Sequence, residues 1–86
     1  MKNIAQYLTL LEDPVIRKRV AGADGLGKSA NPAALSPLGA ALSDPHPAVR
    51  RAIVIALGRL DDSGAVPFLL TSLQDPEPEV RAAAIA

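Results

Sequence analysis

Gly22-Ala23-Asp24-Gly25-Leu26-Gly27-Lys28-Ser29 has the letters of a phosphate-cradling loop, G-x-x-x-x-G-K-S. In that chemistry the loop's N–H groups wrap the phosphates, the lysine neutralises them and the serine hydroxyl meets magnesium. The motif needs a buried strand before it and a helix opening at the lysine. The preceding Arg17-Lys18-Arg19-Val20-Ala21 is too charged for a buried parallel strand. Pro32 would fall about one turn into the following helix, where it removes a hydrogen bond and costs about 3 kcal/mol. Ile53-Val54-Ile55-Ala56-Leu57 followed by Asp61-Asp62 imitates the acidic strand that would hold the metal, but its apolar spacing is that of a helix. Nucleotide binding at residues 22–29 therefore ranks last among the functional readings.

Other reactive residue types are scattered. His46 stands alone between two prolines, with no second histidine and no cysteine to complete a metal site, and reads as an exposed turn residue. Ser29, Ser36, Ser63, Thr71 and Ser72 have no histidine base at a matching position, so nucleophilic catalysis has no support. Asp13, Asp44 and Asp75 are carboxylates that would have to converge to act as an acid–base pair. They recur every 31 residues instead, each followed by proline. That spacing assigns them to turns and to pairing with arginine.

The same step governs the rest of the chain. Ile4, Leu35 and Val66 form one apolar ladder, Tyr7, Leu38 and Leu69 a second, and Leu11, Leu42 and Leu73 a third. Arg19, Arg50 and Arg81 keep the step as well. A period of this size marks stacked supersecondary units that share a continuous core. Residues 3–12 carry apolar residues on one helical face. Asp13 ends that helix because a residue before proline leaves the helical region, and Pro14 is placed to open the next one. The stop and start recur at Asp44 and Asp75, where Pro47 and Pro78 sharpen the entry. Residues 47–60 form the clearest helix, with Val49, Ala52, Ile53, Ala56, Leu57 and Leu60 on one stripe and Gly58 near its end. Val54 and Ile55 lie off that stripe, toward flanking helices. The helix after Asp61-Asp62-Ser63-Gly64 turns Val66, Leu69, Leu70 and Leu73 inward, with Pro67 in its first turn. Its preceding copy is capped by Asn31 and starts late or bends because of Pro37. Around residues 15–27, Gly22 and Gly25 replace Ile53 and Ala56, each costing about 1 kcal/mol in helix propensity. This predicts the least stable helix of the array.

Asp-Pro-His-Pro-Ala-Val-Arg-Arg-Ala at 44–52, Ala-Leu-Gly-Arg-Leu at 56–60 and Ala-Val-Pro-Phe-Leu-Leu at 65–70 resemble a HEAT-like repeat. The likeness is to the short variety found in phycobilin lyase subunits and in many bacterial repeat proteins. It restarts at Asp75-Pro76-Glu77-Pro78-Glu79-Val80-Arg81, and residues 1–43 share the apolar ladder but depart at Lys18, Gly22, Asp24 and Gly25. The resemblance implies an all-α HEAT-like α-α superhelix: about three repeats, or six helices in antiparallel pairs. It further implies that the leading helices, those after each Asp-Pro, line the convex side and the trailing helices the concave side. It pairs Asp13, Asp44 and Asp75 with Arg19, Arg50 and Arg81 across the turns. About activity it says almost nothing.

Composition narrows the function. The 86 residues are 49% hydrophobic, with Tyr7 and Phe68 the only aromatics, no cysteine and a formal net charge of zero. A neutral chain lacks the basic footprint for nucleic acid, and no apolar run is long enough to span a membrane. A single domain over 1–86 in the cytoplasm is expected, without cofactor or metal. Outward positions of the trailing helices are Gln6, Pro37 and Phe68 at one level and Thr9, Ala40 and Thr71 at the next, flanked by Glu12, Ser43 and Gln74. From these, Gln6, Thr9, Pro37, Phe68, Thr71 and Gln74 are the candidate partner-binding residues. The expected function is a non-enzymatic protein-interaction or scaffolding module. The alternative, which the resemblance implies, is part of a bilin-lyase-like enzyme or a chromophore-handling subunit. Residues 80–86 copy 49–55 without the rest of that helix. The sequence thus reads as a fragment of a longer solenoid or as one with an open C-terminal edge. Val80, Ala83 and Ala84 at that edge would favour self-association.

Overall fold

A computed structural model describes residues 3–85; Met1, Lys2 and Ala86, the outermost residues of the expected 1–86 domain, lie outside the described residues. The described residues form six α-helices and no strand. They are α1 (Ile4–Leu10), α2 (Ile16–Ser29), α3 (Leu35–Ala40), α4 (Pro47–Arg59), α5 (Val66–Ser72) and α6 (Pro78–Ile85). The trailing helices α1, α3 and α5 make one layer and the leading helices α2, α4 and α6 the other. Short 3₁₀ turns at Pro32–Ala34 and Ser63–Ala65 lead into α3 and α5, and another at Ala41–Ser43 follows α3.

Local chemistry sets each boundary. Asn3 opens α1 with a reciprocal cap: its side-chain oxygen accepts the Gln6 N–H at 3.1 Å, and its own N–H donates to the Gln6 side chain at 3.0 Å. Asn31 and Asp62 accept the N–H groups of Ala33 and Gly64 at 2.9 and 2.8 Å, fixing the two 3₁₀ entries. Pro14 does not open α2. The Asp13 carboxylate accepts the Val15 N–H at 2.8 Å, and this turn delays the helix to Ile16. The equivalent turns at Asp44 and Asp75 delay α4 and α6 to Pro47 and Pro78. Gly58 does not end α4 either, since the helix runs on to Arg59. The left-handed residue after it is Asp61, at φ 50°, matching Ala30 after α2 at φ 54°. Pro67 lies in the first turn of α5 and Pro37 near the start of the short α3.

The core runs through Leu11, Ala23, Leu26, Leu38, Val49, Ile53, Ala56 and Leu57. Val54 is buried as well, on the side of α4 that meets α6. Two sequence expectations fail here. Val66 and Leu70 are 50% and 59% exposed, because they point beyond the last repeat rather than into the core. Val80 is fully buried between helices and is not part of an open edge; Ile85, 77% exposed, is. The helix with three internal glycines, α2, is also the longest and is unbroken. A methyl group on Gly22 would meet the Tyr7 carbonyl oxygen at 2.8 Å, and one on Gly25 would collide with the Tyr7 ring. On Gly27 it would lie 2.8 Å from Ala56 Cα. The glycines lower helix propensity and at the same time let α1 and α4 close on α2.

Contacts between the leading helices are more extensive than those between the trailing helices, and small residues at the crossing of α2 and α4 (Gly27 against Ala56) permit them.

Gly27→Ala should cost about 1–3 kcal/mol, since the added methyl must push α4 away. Gly58 is helical with nothing within 4 Å, so Gly58→Ala should gain about 0.5–1 kcal/mol. Urea unfolding midpoints of the two variants should move in opposite directions.

Candidate functional site

Each Asp-Pro turn is held by the arginine six residues on and, within the stack, by the arginine of the preceding repeat. Arg50 Nη1 donates to the Asp44 carbonyl oxygen at 2.8 Å. The other edge of the same guanidinium reaches forward, with Nε 2.9 Å and Nη2 3.3 Å from the two carboxylate oxygens of Asp75. Arg19 repeats this with the carbonyls of Asp13 and Pro14 at 3.0 and 3.1 Å, and with Asp44 at 2.8 and 3.3 Å. Arg81 donates to the Asp75 carbonyl oxygen at 2.6 Å. The expected pairing across a single turn thus divides in two. The turn's own arginine takes the carbonyl, and the arginine of the repeat before takes the carboxylate. Both carboxylate pairs are largely shielded, at 15% and 10% side-chain exposure for Arg19–Asp44 and 14% and 10% for Arg50–Asp75.

Burial pushes the Asp75 carboxyl up, but the Arg50 hydrogen bond, the Glu77 N–H and the charges of Arg50 and Arg81 together outweigh it. Its pKa falls below the ordinary aspartate value. Asp24 is lowered first by its hydrogen bond to Lys28, against some desolvation, and then by Arg59. It lies 3.1 Å from Lys28 and 3.0 Å from Arg59 on the open face of α2 and α4.

The residues singled out for chemistry are otherwise engaged. Residues 22–29 lie inside α2, so their N–H groups serve the helix and no phosphate-binding loop forms. Ser29 Oγ donates to the Leu26 carbonyl at 2.6 Å. His46 is half-buried rather than fully exposed, and its Nδ1 accepts the Ala48 N–H at 3.1 Å as the cap of α4. Among the described residues no three His, Cys, Asp or Glu side chains gather to hold a metal, and no helix is long and apolar enough to cross a membrane.

The candidate partner-binding residues fall on the trailing layer. Thr9 and Thr71 are exposed, with hydroxyls returned to the carbonyls of Ala5 and Pro67, each at 3.1 Å. Gln6 is exposed and spends its side chain on the cap of α1; Gln74 is exposed beyond α5. The Phe68 ring folds down over Gly39 of α3 and is half-buried. Pro37 borders a groove of about 480 Å³ between α1 and α3, lined also by Leu8, Leu11, Glu12, Ala40 and Ser43. Sequence reasoning did not anticipate this groove. On the opposite layer, a second hollow of about 480 Å³ runs between α2 and α4 past Val20, Ala52, Ile55 and Arg51.

Residues 4–86 match the family model described as HEAT repeats. The chain belongs to the HEAT-repeat family. A solved structure similar to this HEAT-repeat chain is the complex of CpcE and CpcF of phycocyanin lyase from Nostoc sp. PCC7120. The two share 31% identity with a TM-score of 0.88 over 98% of this chain. The match spans 35% of the Nostoc chain, so this chain covers about a third of that protein's length. A search of curated proteins found no match. The HEAT-repeat architecture accounts for the ladder, in which each arginine joins one repeat to the next.

Arg50→Ala strands the shielded Asp75 carboxylate and should cost about 3 kcal/mol. Arg59→Ala breaks only an exposed pair and should cost under about 1 kcal/mol. Chemical unfolding of the two variants should show this gap. Because the folded pKa of Asp75 is depressed, its contribution is fully present above the unfolded value of about 3.9. It is lost as the pH falls through the lower folded value. Asp75→Asn should therefore flatten the acid limb of stability against pH, as thermal unfolding between neutral and strongly acidic pH would show.

Proposed function

We propose that the chain is a non-enzymatic protein-interaction or scaffolding segment that holds its partner on the surface of the trailing helices. The groove between α1 and α3 is the observation that carries this reading. It has an apolar wall from Leu8, Leu11, Pro37 and Ala40, with polar residues Glu12, Ser43 and Asp44 at its rim. Apolar anchors with a polar border are what a protein partner needs. HEAT repeats as a family trait support the same reading, and the compartment that fits a cysteine-free chain is the cytoplasm.

A second reading is favoured by the likeness to the CpcE–CpcF complex. In it the chain is part of a bilin-lyase-like enzyme or a subunit that handles the chromophore. It differs from the first in requiring contact with an open-chain tetrapyrrole.

Ala40 is exposed in the groove, so Ala40→Arg fills the groove without touching the core. In affinity capture from the native host, this variant should lose the proteins retained by the parent chain, while Arg51→Glu on the opposite face should keep them. An unchanged set with Ala40→Arg would sink the trailing-face reading. Mixing the parent chain with an open-chain tetrapyrrole should leave the pigment's absorption spectrum unaltered. A shifted spectrum would favour the chromophore reading instead.

A further inference from the structure

The arginine ladder has a vacant half-rung at each end. Arg19 and Arg50 each grip the carboxylate of the next repeat, whereas Arg81, among the described residues, bonds only the Asp75 carbonyl. At the other end, the Asp44 and Asp75 carboxylates are each held by an arginine of the repeat before. Among the described residues Asp13 accepts only the Val15 N–H on its carboxylate. Among the described residues Arg81 therefore has no carboxylate and the Asp13 carboxylate no arginine, at equivalent positions of the same 31-residue register.

The apolar surface follows the same register. Val54, on the forward side of α4, is 1% exposed where α6 packs on it, while its equivalent Ile85 on α6 is 77% exposed. Gly39 on α3 is covered by the Phe68 ring, while its equivalent Leu70 on α5 is 59% exposed. In the first repeat, the position of Phe68 is held by Gln6. A small residue under a large one inside the chain becomes a large residue facing a smaller one across the two ends, so the volumes remain matched. Val15 and Ile16 beside Asp13 are 41% and 39% exposed and extend the apolar surface of that end.

We propose that the face carrying Arg81, Leu70 and Ile85 docks the Asp13 edge of a second copy of this chain, head to tail, by the same step that relates neighbouring repeats. This goes beyond partner binding in the groove and uses other residues. Because the contact joins two different surfaces, it does not close on itself and propagates as an open stack. Lys18 stands where Val49 and Val80 pack within the chain, so the joint is weaker than an internal one and forms only as concentration rises.

Sedimentation of the whole chain from micromolar to near-millimolar concentration tests this, with circular dichroism confirming the fold of each variant. The parent chain should grow beyond a dimer as concentration rises. Arg81→Asp and Asp13→Arg should each remain monomeric alone, since like charges then meet at the joint. Mixed in equal amounts, they should recover open growth with the two variants alternating, because a joint between unlike copies carries opposite charges in either order while a joint between like copies does not. The double variant Arg81→Asp with Asp13→Arg should recover the open growth of the parent. Leu70→Glu blocks the same face without touching the ladder and should also be monomeric, which keeps the test alive if Arg81→Asp fails to fold. A parent chain that stays monomeric, a dimer that does not grow, or a mixture of the single variants that does not pair would each overturn the proposal.

Discussion

One guanidinium joining two successive turns is the interaction on which the array depends. Arg50 satisfies the carbonyl that its own turn leaves without a helix partner, and it neutralises the carboxylate of the turn that follows. Arginine suits this task because its planar fork presents donors on two edges at once, where a lysine would offer a single point of charge. The carboxylate in turn has both its oxygens in use: one takes the N–H that shapes the turn, and both face the arginine. Turn geometry and repeat spacing are thereby fixed by the same few atoms. An error in either would leave a shielded charge without its partner.

The second determinant is the unequal spacing of the two layers. Hydrophobic burial alone does not set this difference, because it rewards close packing in both layers alike. The difference comes from side-chain size at the contacts. Gly27 against Ala56 brings α2 and α4 together, while between α3 and α5 the Phe68 ring stands as a spacer over Gly39. The glycines of α2 thus exchange local helix propensity for close contact with α1 and α4. A hollow remains between α1 and α3.

The repeat, its helices and the positions of Asp44, Asp75, Arg19 and Arg50 were legible in the sequence because periodicity records them directly, but that each carboxylate is held by the arginine of the repeat before was not. Features that depend on where a second element lies were not. Local propensity marks Gly22 and Gly25 as weak points, and only the position of the Tyr7 ring makes them contacts. Proline rules put the start of α2 at Pro14, but the carboxylate of Asp13 reaches the Val15 N–H first and holds the turn open. Val66 and Leu70 have the spacing of inward residues, yet a helical stripe cannot distinguish the core from the face toward a following repeat. The groove left no direct mark at all, since it is a gap between helices that meet no motif.

Stacking also sets how the reactive groups of this chain are distributed. Catalysis needs several reactive groups within a few ångströms of one point. A solenoid carries equivalent groups forward by one repeat each time and so keeps them apart. The Asp44 and Asp75 carboxylates are tied to arginine, His46 caps α4, and the hydroxyls of Ser29 and Ser72 donate to carbonyls of their own helices. What the repeat leaves free is shape: a continuous surface whose hollows are set by residue size at a few contacts. Under the proposed reading, substitutions at Ala40 or Pro37 in the groove would change the partner while the arginine rungs continue to hold the stack.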